Sequence, residues 1–199
     1  MTKSPRFGDA GQAFPIYIMV VAGLLFLAFA YLAVGQAAAN RNGAQTAADA
    51  AALAAALDTR DELADEWAEN VLDPTKWQAI FDATQAVFDG CGRATQLAAE
   101  NHATVECGRS DGLPPGYTVD VQTTKSVGDS IVPGTENLHA KATATAVIEP
   151  ACTFELPEDA DPALLPTLTC GDGDEWTLDP EHLTELPRPE DLFHVHLAD

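Results

Sequence analysis

The sequence predicts an α+β protein: a long N-terminal transmembrane helix that continues into an Ala-rich helix, then a small helical plus antiparallel β outer domain with disulfides. Three observations predict it. Residues 14–34 form an uncharged apolar run, and an alanine-rich stretch without proline carries on from it to residue 57. Beyond that stretch, helical periodicity gives way to strand-like alternation, and all four cysteines lie past the apolar run. The expected organisation is a cytoplasmic N-terminus over 1–13, a transmembrane helix over 14–34 and an Ala-rich helical stalk over 35–72. An α+β outer domain follows over 73–149, then an acidic, disulfide-bearing C-terminal lobe over 150–199.

The first element is the apolar run FPIYIMVVAGLLFLAFAYLAV, within a charge-free stretch from Ala10 to Asn40. As a helix, residues 14–34 reach about 31 Å, the thickness of a bilayer's hydrocarbon core. Pro15 falls in the first turn, where its missing N–H costs nothing. Tyr17 and Tyr31 lie near the two ends, as interfacial aromatics do. Lys3 and Arg6 precede the run and Arg41 follows it, a slight positive-inside bias. The cysteines orient the chain more firmly, because disulfides need an oxidising compartment. The expectation is a single-pass protein of the bacterial cytoplasmic membrane, N-terminus in the cytoplasm and C-terminal domain outside. A cleaved secretory signal is the competing reading, with Gln36-Ala37-Ala38-Ala39 offering small residues to a peptidase. The run exceeds the usual 7–15 residue signal core, which favours retention.

The second element is the stretch QAAANRNGAQTAADAAALAAAL at 36–57. Alanine is the best helix former, so the membrane helix is expected to run on. Gln45 and Asp49 stand at i,i+4, a mildly stabilising pair. Two rows of small residues repeat every fourth position: Gly43, Ala47, Ala51, Ala55 and Ala44, Ala48, Ala52, Ala56. Such a face lets another backbone approach closely. The plainer reading packs it on its own domain; the sharper one packs it on a partner subunit. The expected interaction residues are Gly43, Ala44, Gln45, Ala47, Ala48, Asp49, Ala51, Ala52, Leu53 and Ala55.

The run Asn42 to Ala56, directly after an N-terminal apolar helix, resembles the tight-adherence (Tad) pilus-assembly proteins of the TadE/TadG-like type. Their signature reads Q-x-A-A-D-A-A-A-L-A, and Gln45 through Ala54 match it. The resemblance covers roughly the first 60 residues. It implies a minor pilin-like or assembly protein of a Flp-type pilus and its secretion apparatus, held in the cytoplasmic membrane. Many relatives carry a glutamate early in the apolar helix; here Phe14, Pro15 and Ile16 occupy that region, and the first glutamate is Glu62. The resemblance therefore implies TadG-like membership without processing after Gly8 or Gly11.

The outer domain begins in helix. Leu63, Trp67 and Val71 share a face, and Thr59-x-x-Glu62 reads as a capping box that opens a separate helix with a kink near Thr59. Asp73-Pro74 is a helix start, after which Trp77, Ile80, Phe81, Thr84, Val87 and Phe88 keep a 3.6 period up to Gly90. A short third helix spans Arg93 to His102. Tyr117, Val119 and Val121 then alternate with polar residues, as do Ala140 to Ile148, and a last strand spans Leu192 to Leu197. Gly128 and Pro133-Gly134 suit the connection between the first two strands. The region from Pro150 to Pro189 reads as an irregular lobe.

Cys91, Cys107, Cys152 and Cys170 permit three pairings. The local pairs Cys91–Cys107 and Cys152–Cys170 are expected, because each closes a short segment rich in turn residues. Each bridge adds about 3 kcal/mol by loop entropy. The spacing matches no zinc pattern.

Charge excludes some partners. Net charge is −21, which repels nucleic acid and anionic surfaces. Aromatic residues are only 7%, so the core outside the membrane is modest. No P-loop, G-x-S-x-G or H-E-x-x-H occurs, and no cofactor signature. His194 and His196 share a strand face and, with His182, invite a metal reading; a solvated face is the plainer one. Asp172-Gly173-Asp174-Glu175 has the look of a calcium loop without the rest of the spacing. The expected function is a membrane-anchored structural component of a Tad-like pilus or surface-secretion system, not an enzyme. Its partners are membrane lipid and other pilus or secretion-system subunits, not nucleic acid. The alternative is an anchored or secreted acidic binding module, possibly calcium-dependent.

Overall fold

The computed structural model describes residues 13–84, 89–110, 112–126, 137–156, 165–171, 173–181, 183 and 186–198. Helix α1 (Ala13–Glu69) is continuous over 57 residues, about 86 Å at 1.5 Å per residue. It has two parts. Up to Gly43 its described side chains are almost all exposed; from Ala44 onward every turn puts a face into the protein. Of the Ala-rich stretch, only residues 35–43 stand clear of the folded domain.

The expected break near Thr59 does not occur. Mid-helix, Thr59 is buried on the same row as Ala51, Ala55, Leu63 and Trp67. Its hydroxyl lies 2.8 Å from that of Tyr117, so it is used across the core rather than to cap a new helix.

After α1 the chain makes a 3-10 turn at Pro74–Lys76 and the short helix α2 (Trp77–Phe81). The long amphipathic helix expected from Asp73 to Gly90 is corrected at this point. Ala83 adopts φ 47°, Ala83 N–H donates to Ile80 O and Thr84 N–H to Ala79 O. That pair of bonds is a Schellman termination with alanine in the left-handed position. Periodicity alone does not register such a stop. Val87 and Phe88 lie outside the described residues.

Helix α3 (Cys91–Glu100) precedes a four-stranded antiparallel sheet of order β1-β2-β3-β7: β1 (Ala103–Ser110), β2 (Gly116–Ser126), β3 (His139–Pro150) and β7 (Phe193–Leu197). The alternation read from the sequence places Tyr117, Val119 and Val121 of β2, and Ala144, Ala146 and Ile148 of β3, on the inner face. The last strand begins one residue later than expected, because Leu192 closes the short helix α4 (Pro189–Leu192). The residues 127–136 that join β2 and β3, with Gly128 and Pro133-Gly134, lie outside the described residues.

A second, smaller antiparallel sheet joins β4 (Cys152–Phe154), β5 (Leu168–Cys170) and β6 (Asp174–Trp176) within the region expected to be irregular. Both disulfides form, Cys91–Cys107 between α3 and β1, and Cys152–Cys170 between directly opposed positions of β4 and β5.

The core lies between the inner face of the large sheet and the second half of α1, with α3 alongside. Each large buried side chain there, such as Tyr117, Ile148 or Phe193, contributes about 1.5–3 kcal/mol. Thr59 meets Tyr117, which is opposite Ala146. Further along α1, the ring centroids of Trp67 and Trp77 lie 5.4 Å apart at a tilt, those of Trp77 and Phe154 5.3 Å apart edge-on, and those of Phe81 and Phe193 5.3 Å apart at a tilt, beside Pro150. Helix α1 therefore runs in the same sense as β3. The sheet end formed by Ala103, Thr123 and His139 faces back toward the apolar half of α1.

Candidate functional site

The functional candidate is α1 itself, because one helix carries both the apolar run and the foundation of the domain. Its apolar half contains an 18-residue window of mean hydropathy 2.5, none of it buried. Phe14, Met19, Phe26 and Tyr31 are among its most exposed side chains. Leucine, isoleucine, valine and phenylalanine each favour the bilayer centre by roughly 0.3–0.6 kcal/mol. The helix is long and apolar enough to cross a membrane.

The alanine rows are occupied within the chain. Ala44, Ala47, Ala48, Ala51, Ala52 and Ala55, together with Ala56, are fully buried. They pack on β2, β3 and α3, whose own buried contacts are Ala94 and Ala98. Small side chains bring the backbones together, and at Gly90 the approach to α1 is close. A Cβ built there would lie 2.2 Å from the carbonyl oxygen of Ala55. The Gly90 N–H donates to the Tyr117 hydroxyl at 3.1 Å. Thr59, Tyr117 and Gly90 thus form a buried polar junction of α1, β2 and the start of α3. Sequence reasoning missed this junction. Its signal was a threonine on the i,i+4 row of the alanines.

Of the other expected interaction residues, Gly43 and Gln45 are exposed, while Asp49 and Leu53 are half-buried. Gln45 Nε2 donates to Asp49 Oδ1 at 2.7 Å, the helical pair read from the sequence. The outward stripe of α1 beyond the apolar run is Gly43, Thr46, Ala50, Leu53 and Leu57, of which Gly43, Thr46 and Leu57 are exposed, Ala50 is half-buried and Leu53 packs in part against the core.

Acidic groups crowd the far end of α1. The Glu62 carboxyl is raised above its ordinary value by partial burial, and further by the neighbouring Asp58 and Asp65. Asp73 is lowered, chiefly by the Thr75 hydroxyl that donates to it.

The outer face of the large sheet is polar. Thr118 and Thr145 hydroxyls meet at 2.9 Å, and Thr143 bonds Asp120. A shallow groove of about 560 Å³ runs over Thr104, Glu106, Asp120, Gln122, Lys141 and Thr143. His194 and His196 are exposed on β7, with His196 Nε2 3.4 Å from Glu149 Oε2. Among the described residues no group of three or more His, Cys, Asp or Glu is placed to hold a metal ion. His182 and Asp172 lie outside the described residues.

These features define a class: a chain with, among the described residues, one membrane-capable helix whose second half is the structural spine of an α+β, disulfide-bridged domain. Comparison with family models is more particular. Residues 11–58 match the family described as putative Flp pilus-assembly TadE/G-like. The matched segment takes in the apolar run and the buried alanine rows and ends one residue before Thr59. It supports the resemblance read from residues 42–56. Comparisons with curated proteins and with solved structures gave no match.

Proposed function

We propose that this chain is a membrane-anchored structural component of a Tad-like (Flp) pilus or surface-secretion system. The family match over residues 11–58 carries the reading, and it falls on the helix that joins anchor to domain. On this reading residues 1–13 are cytoplasmic, 14–34 span the cytoplasmic membrane, and the domain that follows is extracytoplasmic, where its two disulfides persist. The role is mechanical rather than catalytic: the anchor fixes the subunit in lipid and α1 transmits position to the domain without a joint.

Partner subunits meet the outward stripe of α1. The alanine rows serve that contact indirectly, by holding the helix straight against its own sheet. Close helix pairing tolerates glycine, alanine and threonine well, and Gly43, Thr46 and Ala50 supply them below Leu53 and Leu57. The test is in-cell photocrosslinking from Gly43, Ala50 and Leu53, with Gln78 on α2 as control. Capture of a pilus-system subunit from the stripe but not from Gln78 supports the reading. Equal capture from both, or none from either in assembled cells, overturns the interface.

A further inference from the structure

We propose that strand β1, an edge of the large sheet, takes up an added antiparallel strand from a partner protein: an extended segment with a basic residue opposite Glu106 and a bulky residue opposite Gly108. This contact is separate from the outward stripe of α1 and does not depend on the anchor.

The large sheet has two edges, β1 and β7. Strand β7 has five residues. Strand β1 has eight, and its pairing with β2 runs without a register shift from Ala103↔Thr123 to Ser110↔Gly116. A long, regular edge invites further pairing, and proteins commonly blunt one with proline, lysine or a bulge. Strand β1 has none of the three. Thr124 N–H donates to His102 O, which fixes the alternation of the ladder. Thr104, Glu106 and Gly108 turn their backbone groups to β2, while the N–H and C=O of Ala103, Val105 and Cys107 point away from it. Among the described residues nothing bonds those outward groups. Arg109 closes the open stretch at the far end, where its guanidinium donates to Ala83 O.

The side chains select the occupant. Glu106 stands directly opposite Asp120, both exposed, and like charges so placed repel. Asp120 accepts from the Thr143 hydroxyl on its β3 side. Lys141, diagonal to Asp120 in the register, makes no ion pair among the described residues. Glu106 has neither hydrogen bond nor ion pair among them. A residue added opposite Glu106 takes a non-hydrogen-bonded position, with Cα atoms about 4.5 Å apart and side chains at their closest. Lysine or arginine there meets Glu106 at once and Asp120 just beyond. A second copy of β1 does not supply it. Two-fold pairing keeps outer residues opposite outer residues, so Glu106 would meet Thr104, Glu106, Gly108 or Ser110, none of them basic. The copy would also bring another net charge of −21. Beside Glu106 on the outer face, a Cβ built on Gly108 meets nothing within 4 Å. A large cross-strand side chain fills such a gap. In antiparallel order the segment therefore reads bulky-x-basic.

The test uses the full, isotope-labelled chain in nanodiscs. Two capped peptides of alternating threonine and valine carry Phe-Thr-Lys or Phe-Thr-Glu at the centre. At about 1 mM, the lysine peptide is expected to slow amide exchange at Val105 and Cys107 at least about fivefold, and the glutamate peptide is not. Glu106→Lys reverses that preference. Val105→Pro, which removes an outward N–H and no ladder bond, abolishes protection at Cys107 by the lysine peptide. No protection, equal protection by the two peptides, or a preference that Glu106→Lys leaves unchanged overturns the proposal. Protection of these amides that grows with the concentration of the chain alone overturns it in favour of pairing between copies. These outcomes leave the anchor and the α1 stripe untouched.

Discussion

Gly90→Ala is the sharpest probe of how the helix meets the domain. An added Cβ would sit 2.2 Å from Ala55 O, 2.8 Å from Ala55 C and 2.9 Å from Ala55 Cα. All three atoms are backbone of a continuous helix, so neither a rotamer change nor a flexible chain end relieves the contact. The start of α3 has to move outward by about an ångström, an overpacking cost of roughly 1–3 kcal/mol. That movement also lengthens the 3.1 Å bond from Gly90 N–H to Tyr117, worth about 1 kcal/mol more. The expected loss is about 3 kcal/mol, a fall in Tm of about 6–12 °C for a chain of this size. Gly92→Ala is the matched control, since a Cβ there meets nothing within 4 Å. It should raise stability by up to about 1 kcal/mol through helix propensity. Thermal unfolding in mild detergent, followed by the near-ultraviolet signal of Trp67 and Trp77, reads both. A Gly90→Ala protein that melts with the parent refutes the close approach, as does a Gly92→Ala protein that falls just as far.

The buried junction gives a second prediction. Tyr117→Phe strands the Thr59 hydroxyl and the Gly90 N–H and should cost about 2–4 kcal/mol, and a double-mutant cycle with Thr59→Val should show favourable coupling between the two hydroxyls. Replacing either cysteine pair by serine, Cys91/Cys107 with a separation of 16 or Cys152/Cys170 with 18, should lower stability by about 3 kcal/mol, measured by chemical denaturation against the oxidised parent. Glu62 holds its proton more tightly when folded, because of partial burial and its acidic neighbours. Its favourable contribution is therefore present below the ordinary glutamate range and is lost as pH rises through the raised value. Glu62→Gln should be more stable than the parent at neutral pH, and the difference should shrink as pH falls through the raised value into the ordinary glutamate range. A flat difference across that range would contradict the assignment. Leu25→Lys places a charge at mid-run, costs roughly 3 kcal/mol of insertion, and should move protein from the membrane to the soluble fraction.

The elements that were legible in the sequence are those with long, one-sided patterns. Residues 14–34 declare themselves by the absence of charge, and β2 and β3 by Tyr117-Val119-Val121 and Ala144-Ala146-Ile148. The signature around Gln45 and Asp49 carried a resemblance that the family match over residues 11–58 supports. What was not legible depends on partners distant in sequence. Thr59 reads locally as a cap, and only the arrival of Tyr117 from β2 makes it a core residue. Strand β1 has just Ala103, Val105 and Cys107 on its inward side, too little bulk to show alternation. Strands β4 to β6 have three residues each, below the length at which a period can be seen. The stop at Ala83 uses a residue whose type gives no warning. The alanine rows read as a face for close approach, and in the structure they are buried within the chain's own core. Which backbone approaches is a tertiary matter, and here Gly90, Ala94 and Ala98 of the same chain do so.

The most direct test of the account is the sidedness of one engineered thiol in living membranes. Glu69→Cys sits at the exposed far end of α1, about 50 Å beyond the apolar run along the helix axis. Spheroplasts are treated with a membrane-impermeant maleimide and then extracted at alkaline pH. The account predicts that the cysteine is labelled from outside without lysis and that the protein remains in the membrane pellet. Labelling only after lysis, or release of a chain that begins near Asn40, would contradict it.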